Sequence, residues 1–464
     1  MASATHNATR ERSSEEPPRR PPVGALPPGP RMAPVAQTLI WTVAPTWLMS
    51  QCARRIGDAF TITFAPSGTK LAMFSDPDDV KAIFTAPADL APSGAGSSPV
   101  APVMGPSSVV TLVGPEHMRQ RKLLLPPFHG ERMRDYEEVI AQETRAEAAS
   151  WPIGTPTPVH PCMRRITLEV ILRAVFGVQA DRMAAMRDAI GDLLAPAQTA
   201  AIIRAALRPP TLERPGGRFG AALDRLDAVI YQEIARHRDA GDLHERSDIL
   251  SLLMLARDED EQPMGDEELR DELVTLLLAG HETTATSAAW AIERLVRHPA
   301  KLDRLLQELD AGEDDSYMNA VISETLRVRP VVPLVVRVLQ DEMQVGAYRL
   351  PAGTRVVPSI YLTNRSPAAY EQAKEFRPER FLESAPDSFS WIPFGGGIRR
   401  CIGASFAQME MRVILGTILA ELRPRAPRGL RGRRGERTKR RAITLVPAAG
   451  ARVVWERRGP RHPS

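Results

Sequence analysis

Residues 266–298 place the tightest constraint on the fold. The run opens with Asp266, Glu267 and Glu268 and is closed by Pro299. Acidic residues in a first turn complement the positive end of a helix, and proline does not extend one. The spacing predicts one helix over Asp266–His298 with Asp266 as N-cap. At ~1.5 Å per residue such a helix is roughly 50 Å long. A rod of that length must cross a large, mostly helical body. The chain has 464 residues, enough to bury a sizeable core without disulfide staples.

The rest of the pattern agrees. Alternation at Phe60, Ile62, Phe64, Leu71 and Met73 around Pro66-Ser67-Gly68 predicts a β-hairpin over Asp58–Phe74. A short capped helix is expected over Asp76–Phe84, then an irregular, Pro/Gly-rich loop over 86–115. From about residue 115 the period is helical, with breaks at Trp151–Pro161, Arg208–Gly217, Arg257–Gly265 and Ala311–Asp315. Strand signals return over Val331–Val357, and the last segments, Ala442–Val446 and Val453–Trp455, predict a closing hairpin. The expected class is mainly α with small β-sheets, as one large domain over 32–464. Residues 1–31 are Pro/Arg-rich and are expected to be disordered, because they cannot bury enough apolar surface. The apolar run Val35–Met49 is short and interrupted by Pro45. It falls below the ~20 residues of a spanning helix, so no transmembrane anchor is expected. A packed helix is the simpler reading, and a membrane-surface anchor is the alternative.

Composition narrows the setting. Three cysteines, Cys52, Cys162 and Cys401, make no disulfide framework and favour a reducing, cytoplasmic location. The net charge of +4 is too small to imply nucleic acid as a partner. It conceals an asymmetry: residues 423–464 hold 14 basic and two acidic residues, and the first 422 hold 46 basic and 54 acidic. An acidic body with a basic tail suggests a surface for an acidic partner or a solvated Arg-rich loop.

Three clusters carry chemistry. Cys401 follows Phe394-Gly395-Gly396-Gly397-Ile398-Arg399-Arg400 and precedes Ile402-Gly403. Glycines there imply positive φ or close backbone approach, and Gly403 leaves room for a flat object. A helix predicted from Ile402 and two neighbouring arginines would stabilise a thiolate suited to metal ligation. In the long helix, Ala279-Gly280-His281-Glu282-Thr283-Thr284 combines an acid and an alcohol where Gly280 and the threonines loosen the helix. Such a pair can relay protons. His281-Glu282 does not complete a zinc motif, because position 285 is Ala. Glu324 and Arg327 share one helix face, and Pro378-Glu379-Arg380-Phe381 brings a second Arg.

In this order and spacing the chain resembles the cytochrome P-450 superfamily of haem-thiolate monooxygenases, from about residue 32 to the C-terminus. The resemblance implies the cytochrome P-450 fold, with haem between the long central helix and the Cys-ligand loop. It makes Cys401 the axial ligand to the iron of a b-type haem (heme b). Phe394 would pack near the sulfur and haem and tune its potential, Gly395, Gly397 and Gly403 would shape the ligand loop, and Ala279 would face the cofactor. His117, Arg121, Arg337 and Arg399 would hold the propionates. Glu282 and Thr283 would deliver protons during dioxygen activation. Glu324, Arg327 and Arg380 would form a structural triad. Asn364-Arg365 departs mildly from the family's His-Arg.

The implied reaction inserts one atom of O2 into an apolar substrate by hydroxylation or epoxidation. Electrons come from NAD(P)H. No dinucleotide fingerprint is present, so a separate donor is expected: a ferredoxin with its ferredoxin reductase, or alternatively a flavodoxin-type protein. Arg119, Lys122 and Arg400 are candidates for the docking face. The pocket is expected between the 86–115 loop, the helix before Gly280, Val331–Val336 and Leu445. Other readings are a haem-thiolate isomerase, dehydratase or peroxygenase, and a non-enzymatic haem sensor.

Overall fold

The computed structural model describes residues 24–93, 101–128, 132–177, 180–193, 216–312, 314–427 and 435–459. The disorder expected for 1–31 falls mostly on residues 1–23, outside the described residues. Residues 24–31 do not fit that expectation. They lie along the first strand, where Thr61 donates its N–H to Pro28 O (3.1 Å) and its hydroxyl to Pro27 O (2.6 Å).

Thirteen helices longer than one turn are used here: α1 Pro34–Val43, α2 Pro45–Ile56, α3 Pro77–Thr85, α4 Gly114–Leu124, α5 Arg132–Ala148, α6 Val159–Phe176, α7 Ala180–Leu193, α8 Gly217–Asp239, α9 Ile249–Leu255, α10 Asp266–Arg297, α11 Pro299–Ala311, α12 Ser316–Val328 and α13 Ala404–Glu421. The strands are β1 Ala59–Thr63, β2 Lys70–Phe74, β3 Pro156–Pro158, β4 Arg337–Val338, β5 Met343–Val345, β6 Tyr348–Leu350, β7 Arg355–Pro358, β8 Leu422–Arg425, β9 Thr438–Arg441, β10 Thr444–Pro447 and β11 Arg452–Arg457. They form four small sheets, ordered β1-β2-β7-β4, β3-β11-β8, β9-β10 and β5-β6.

The helix α10 runs for 32 residues. Its N-cap is Gly265 rather than Asp266, because the Glu268 carboxylate accepts the Gly265 N–H (2.8 Å) and fixes the first turn one residue early. The helix is buried nearly all round, which small side chains such as Ala285, Ala288 and Ala289 permit by letting neighbours approach closely. It packs most extensively on α6. Between Leu269 and Glu293, its middle positions Leu276, Leu278, Ala279, Gly280, Glu282 and Thr283 are the ones left open, and all six line an internal cavity.

The hairpin β1–β2 and the helix α3 form as expected, with Asp76 capping α3 through the N–H groups of Asp78 and Asp79. Within the 86–115 loop, Ala101–Met104 form one helical turn, and 94–100 lie outside the described residues. The closing hairpin does not form as expected. The strand β10 pairs with β9, and β11 pairs with β3 and β8. The cause lies between them: the positive φ of Gly450 and Ala451 turns the chain away, and Gly450 backs onto Pro158. Among the described residues no helix is long and apolar enough to cross a membrane.

Candidate active site

The cavity has a volume of about 1710 Å³. A pocket for one drug-sized ligand is ~300–1,000 Å³, so this one has room for a cofactor and a substrate together. Cys401 is on its wall, facing Ala279, Gly280, Glu282 and Thr283 of α10 across it.

The loop holding Cys401 is fixed by α3. A Cβ at Gly397, where φ is +65°, would lie 2.1 Å from the Phe84 carbonyl oxygen, and one at Gly396 would lie 2.4 Å from the Phe84 ring. Only glycine allows this seat. Cys401 N–H bonds to Phe394 O (3.0 Å), closing the loop. A Cβ at Gly403 would touch nothing within 4 Å, leaving open space beside the sulfur. The sulfur is exposed to the cavity yet lies deep in the protein. Burial therefore raises its thiol pKa, against the Gly403 N–H, Arg121 and Arg400, which lower it. The net direction is opposite to the sequence expectation, because α13 begins only at Ala404 and desolvation outweighs the nearby charges. A thiolate here needs a cation at the sulfur.

Three arginines, Arg121, Arg337 and Arg399, and one histidine gather beside it. His117 is pushed down to about 4 by burial and then by Arg399, Arg121 and Arg337. Burial lowers Arg337 to about 10, and burial together with Arg337 and Arg121 lowers Arg399 to about 10. No carboxylate is among the charges that shift these four groups. The buried Nδ1 of His117 has no hydrogen-bond partner among the described residues. Like charges at close range are unfavourable without an anion. These residues therefore fit a flat, iron-bearing macrocycle with two carboxylates. Part of the Arg399 fork is already committed, to the carbonyls of Val109 and Leu112.

The acid and the alcohol are held differently. The Thr283 hydroxyl donates to Ala279 O (2.6 Å), and the helix remains continuous. Gly280 accommodates Ile171 of α6, which a Cβ would approach to 3.1 Å. Glu282 is surrounded by Arg164 (2.9 Å), His160 (3.5 Å) and Arg441 (3.6 Å). Burial opposes its ionisation, yet His160, Arg441 and Arg164 hold the carboxyl below its ordinary range. The contacts are charge contacts without well-aligned hydrogen bonds, since both Glu282 oxygens lack one. His281 points away into α6, with Nδ1 on the Thr167 hydroxyl (3.0 Å), and burial pushes it down to about 3. It is a packing residue.

Behind α10 lies Glu410 of α13, fully buried and bonded to Thr284. Burial pushes it up to about 8, so it is protonated at neutral pH. Sequence reasoning missed Glu410, His160, Arg164 and Arg441. Glu410 reads as the polar face of a helix, and the other three are far from Glu282 in the chain.

Glu324 and Arg327 are wholly buried and paired through two contacts (2.6 and 2.8 Å), and Arg380 reaches Glu324 at 3.3 Å. Arg327 also donates to the carbonyls of Asn364, Ala373 and Glu375. This group ties α12 to the chain leading to the Cys401 loop. Of the docking candidates, Arg400 is exposed. Arg119 is not free: Asp258 and Glu268 hold it at 2.6 Å each. Lys122 pairs with Glu259 at 2.5 Å on the surface. The basic tail is also partly neutralised, by Asp303 at Arg423, Glu456 at Arg425 and Asp310 at Arg458.

A mainly helical body with one cysteine beneath a central helix, a cationic rim and an acid–alcohol pair defines a haem-thiolate protein. The family model "Cytochrome P-450" matches residues 27–444. The chain is 40% identical to cytochrome P-450 135B1 of Mycobacterium bovis, covering 92% of this chain and 91% of that one. It is 39% identical to cytochrome P-450 137 of Mycobacterium tuberculosis, covering 87% and 84%. Among solved structures it resembles a cytochrome P-450DA heme domain (TM-score 0.81, 22% identity, 95% and 99% covered). It also resembles a retinoic acid-bound cyanobacterial CYP120A1 (TM-score 0.78, 23% identity, 93% and 99% covered). The chain belongs to the cytochrome P-450 family of haem-thiolate monooxygenases, and its fold is theirs. The family uses haem, dioxygen and reducing equivalents from a redox partner.

Proposed function

We propose that the protein hydroxylates or epoxidises an apolar molecule, placing one oxygen atom of O2 in the product and the other in water. Two electrons from NAD(P)H arrive through a ferredoxin and its reductase. The observation that carries this reading is the single cavity that joins Cys401 to Glu282 and Thr283 under a mostly aliphatic lining. That lining includes Val103, Met104, Leu276, Val331 and Leu445, which favours an apolar substrate.

Cys401 would ligate a b-type haem, and His117, Arg121, Arg337 and Arg399 would take its propionates. When bound, the haem supplies the redox iron that activates dioxygen. Phe394, Gly395 and Gly403 would line the space around the sulfur, which the two glycines leave open. The remaining work belongs to side chains. Glu282, held ionised by His160, Arg441 and Arg164 around it, accepts a proton from the solvent side. Thr283 Oγ, now turned to Ala279 O, is the alcohol that passes the proton inward. Glu324, Arg327 and Arg380 hold the supporting loops and do no chemistry. The donor would dock at the Cys401 side, where Arg400 is exposed beside the exposed apolar residues Ile398 and Val113.

Two measurements test this. The reduced carbon monoxide complex must show a thiolate-type red-shifted Soret band that Cys401→Ser abolishes. NAD(P)H-dependent oxygen uptake must yield product, with Thr283→Ala uncoupling the two. Equal product from peroxide alone, independent of Thr283, would favour a peroxygenase instead. Arg400→Glu should slow reduction by the donor at low salt and leave substrate binding unchanged.

A further inference from the structure

Among the described residues the wall of the cavity carries eight lysine and arginine side chains and a single carboxyl group, Glu282. Most of these cations have an evident use. Arg121, Arg337 and Arg399 are taken by the propionates in the reading above. Arg400 is exposed on the sulfur side, and Arg441 faces Glu282 at 3.6 Å. Lys70 is exposed on the β1–β2 hairpin, and Arg355 opens β7. Arg440 is left over inside.

Arg440 and Arg441 are successive residues of β9, so their side chains lean to opposite faces of the hairpin. Arg441 reaches towards α10, and Arg440 does not. Among the described residues the Arg440 guanidinium has no ion pair, and its one hydrogen bond runs from Nε to Ala442 O (2.9 Å). The two terminal nitrogens, the prongs of the fork, remain for a ligand. Burial lowers the Arg440 pKa, and no neighbouring charge opposes it. An arginine remains protonated there, and a half-buried cation without a counter-charge is costly.

The fork also has a firm base. Leu445 is the partner of Arg440 across the hairpin. Its N–H goes to Val331 O (2.8 Å), and its carbonyl accepts Trp290 Nε1 from α10 (3.1 Å). Val331 and Leu445 belong to the same aliphatic wall. A charged fork on a fixed strand beside an apolar wall matches a planar carboxylate with an apolar body.

We propose that Arg440 anchors a carboxylate of the substrate, so that the substrate is an amphipathic acid held by its charged end on the β9–β10 hairpin. Its apolar body then lies along the aliphatic wall on the α10 side of the cavity. This rests on the apolar-substrate reading above and narrows it.

The test uses the full-length holoprotein and the substrate-induced spin shift of its haem. Dodecanoic acid and abietic acid are titrated at neutral pH, each beside its methyl ester. At least one acid should bind roughly tenfold to a hundredfold more tightly than its ester, the scale of a charge-assisted hydrogen-bonded pair. Arg440→Gln should erase that difference. Arg440→Lys keeps the charge without the fork and should retain part of it, which keeps the test open if the glutamine variant misfolds. Equal affinity of acid and ester in the unaltered protein overturns the anchor and leaves the apolar-substrate reading standing. A preference that survives Arg440→Gln but falls with Lys70→Gln or Arg355→Gln also overturns it. No spin shift with any of the four compounds overturns the anchor and the apolar-substrate reading together.

Discussion

Two carboxyl groups flank the same stretch of α10, and the protein treats them in opposite ways. Glu282 faces α6 and β9, where Arg164, His160 and Arg441 hold it ionised although it is largely buried. Glu410 approaches from α13 with Thr284 as its hydrogen-bond partner, and burial keeps it protonated. The difference teaches that depth alone does not set protonation here. Two arginines and a histidine reverse the effect of burial at one site, and a neutral hydroxyl does not at the other. Groups whose environments drive their pKa values apart can divide acid and base roles.

The largest expected effect is at Glu282. Glu282→Gln should lower product formation about a hundredfold, the scale of lost acid–base assistance, with little change in substrate-induced spin shift. An undiminished rate would remove Glu282 from the proton route. Next comes Glu410. Its folded pKa near 8 lies above the ordinary 4.5, so the folded state binds the extra proton between those values. Stability therefore falls as pH rises across that window. Glu410→Gln should flatten the fall and stabilise the protein above that window, read as denaturant midpoint against pH. Turnover should change less than about twofold. A loss as large as that of Glu282→Gln would make both carboxyls part of one relay. The smallest effect is expected from Arg441→Ala. It removes one of the two arginines beside Glu282, so the Glu282 pKa rises and the acid limb of the activity profile moves up by less than about one unit.

The sequence made some of this legible because local chemistry determines it. The acidic start and the proline after α10 define a helix without tertiary help. Glycines around Cys401 have one evident use, a close approach that here is made by Phe84. Other features depend on distant partners. Arg119 reads as a free cation until Asp258, from the loop before α10, and Glu268, from the first turn of α10, arrive beside it. Val453–Trp455 read as half of a hairpin until β3 and β8 supply its neighbours. The Cys401 thiol was expected to be lowered by its helix and its arginines, and burial, which local sequence does not report, raises it.

Phe84 belongs to the helix that follows β2, and its ring and carbonyl are the template on which Gly396 and Gly397 lie. The position of the sulfur is thus specified from the opposite end of the chain. Anything that displaces α3 will move the thiol itself. Cofactor retention therefore reports on the folding of the N-terminal sheet. A fragment beginning after residue 93 should acquire haem poorly even with every residue from Cys401 onward intact.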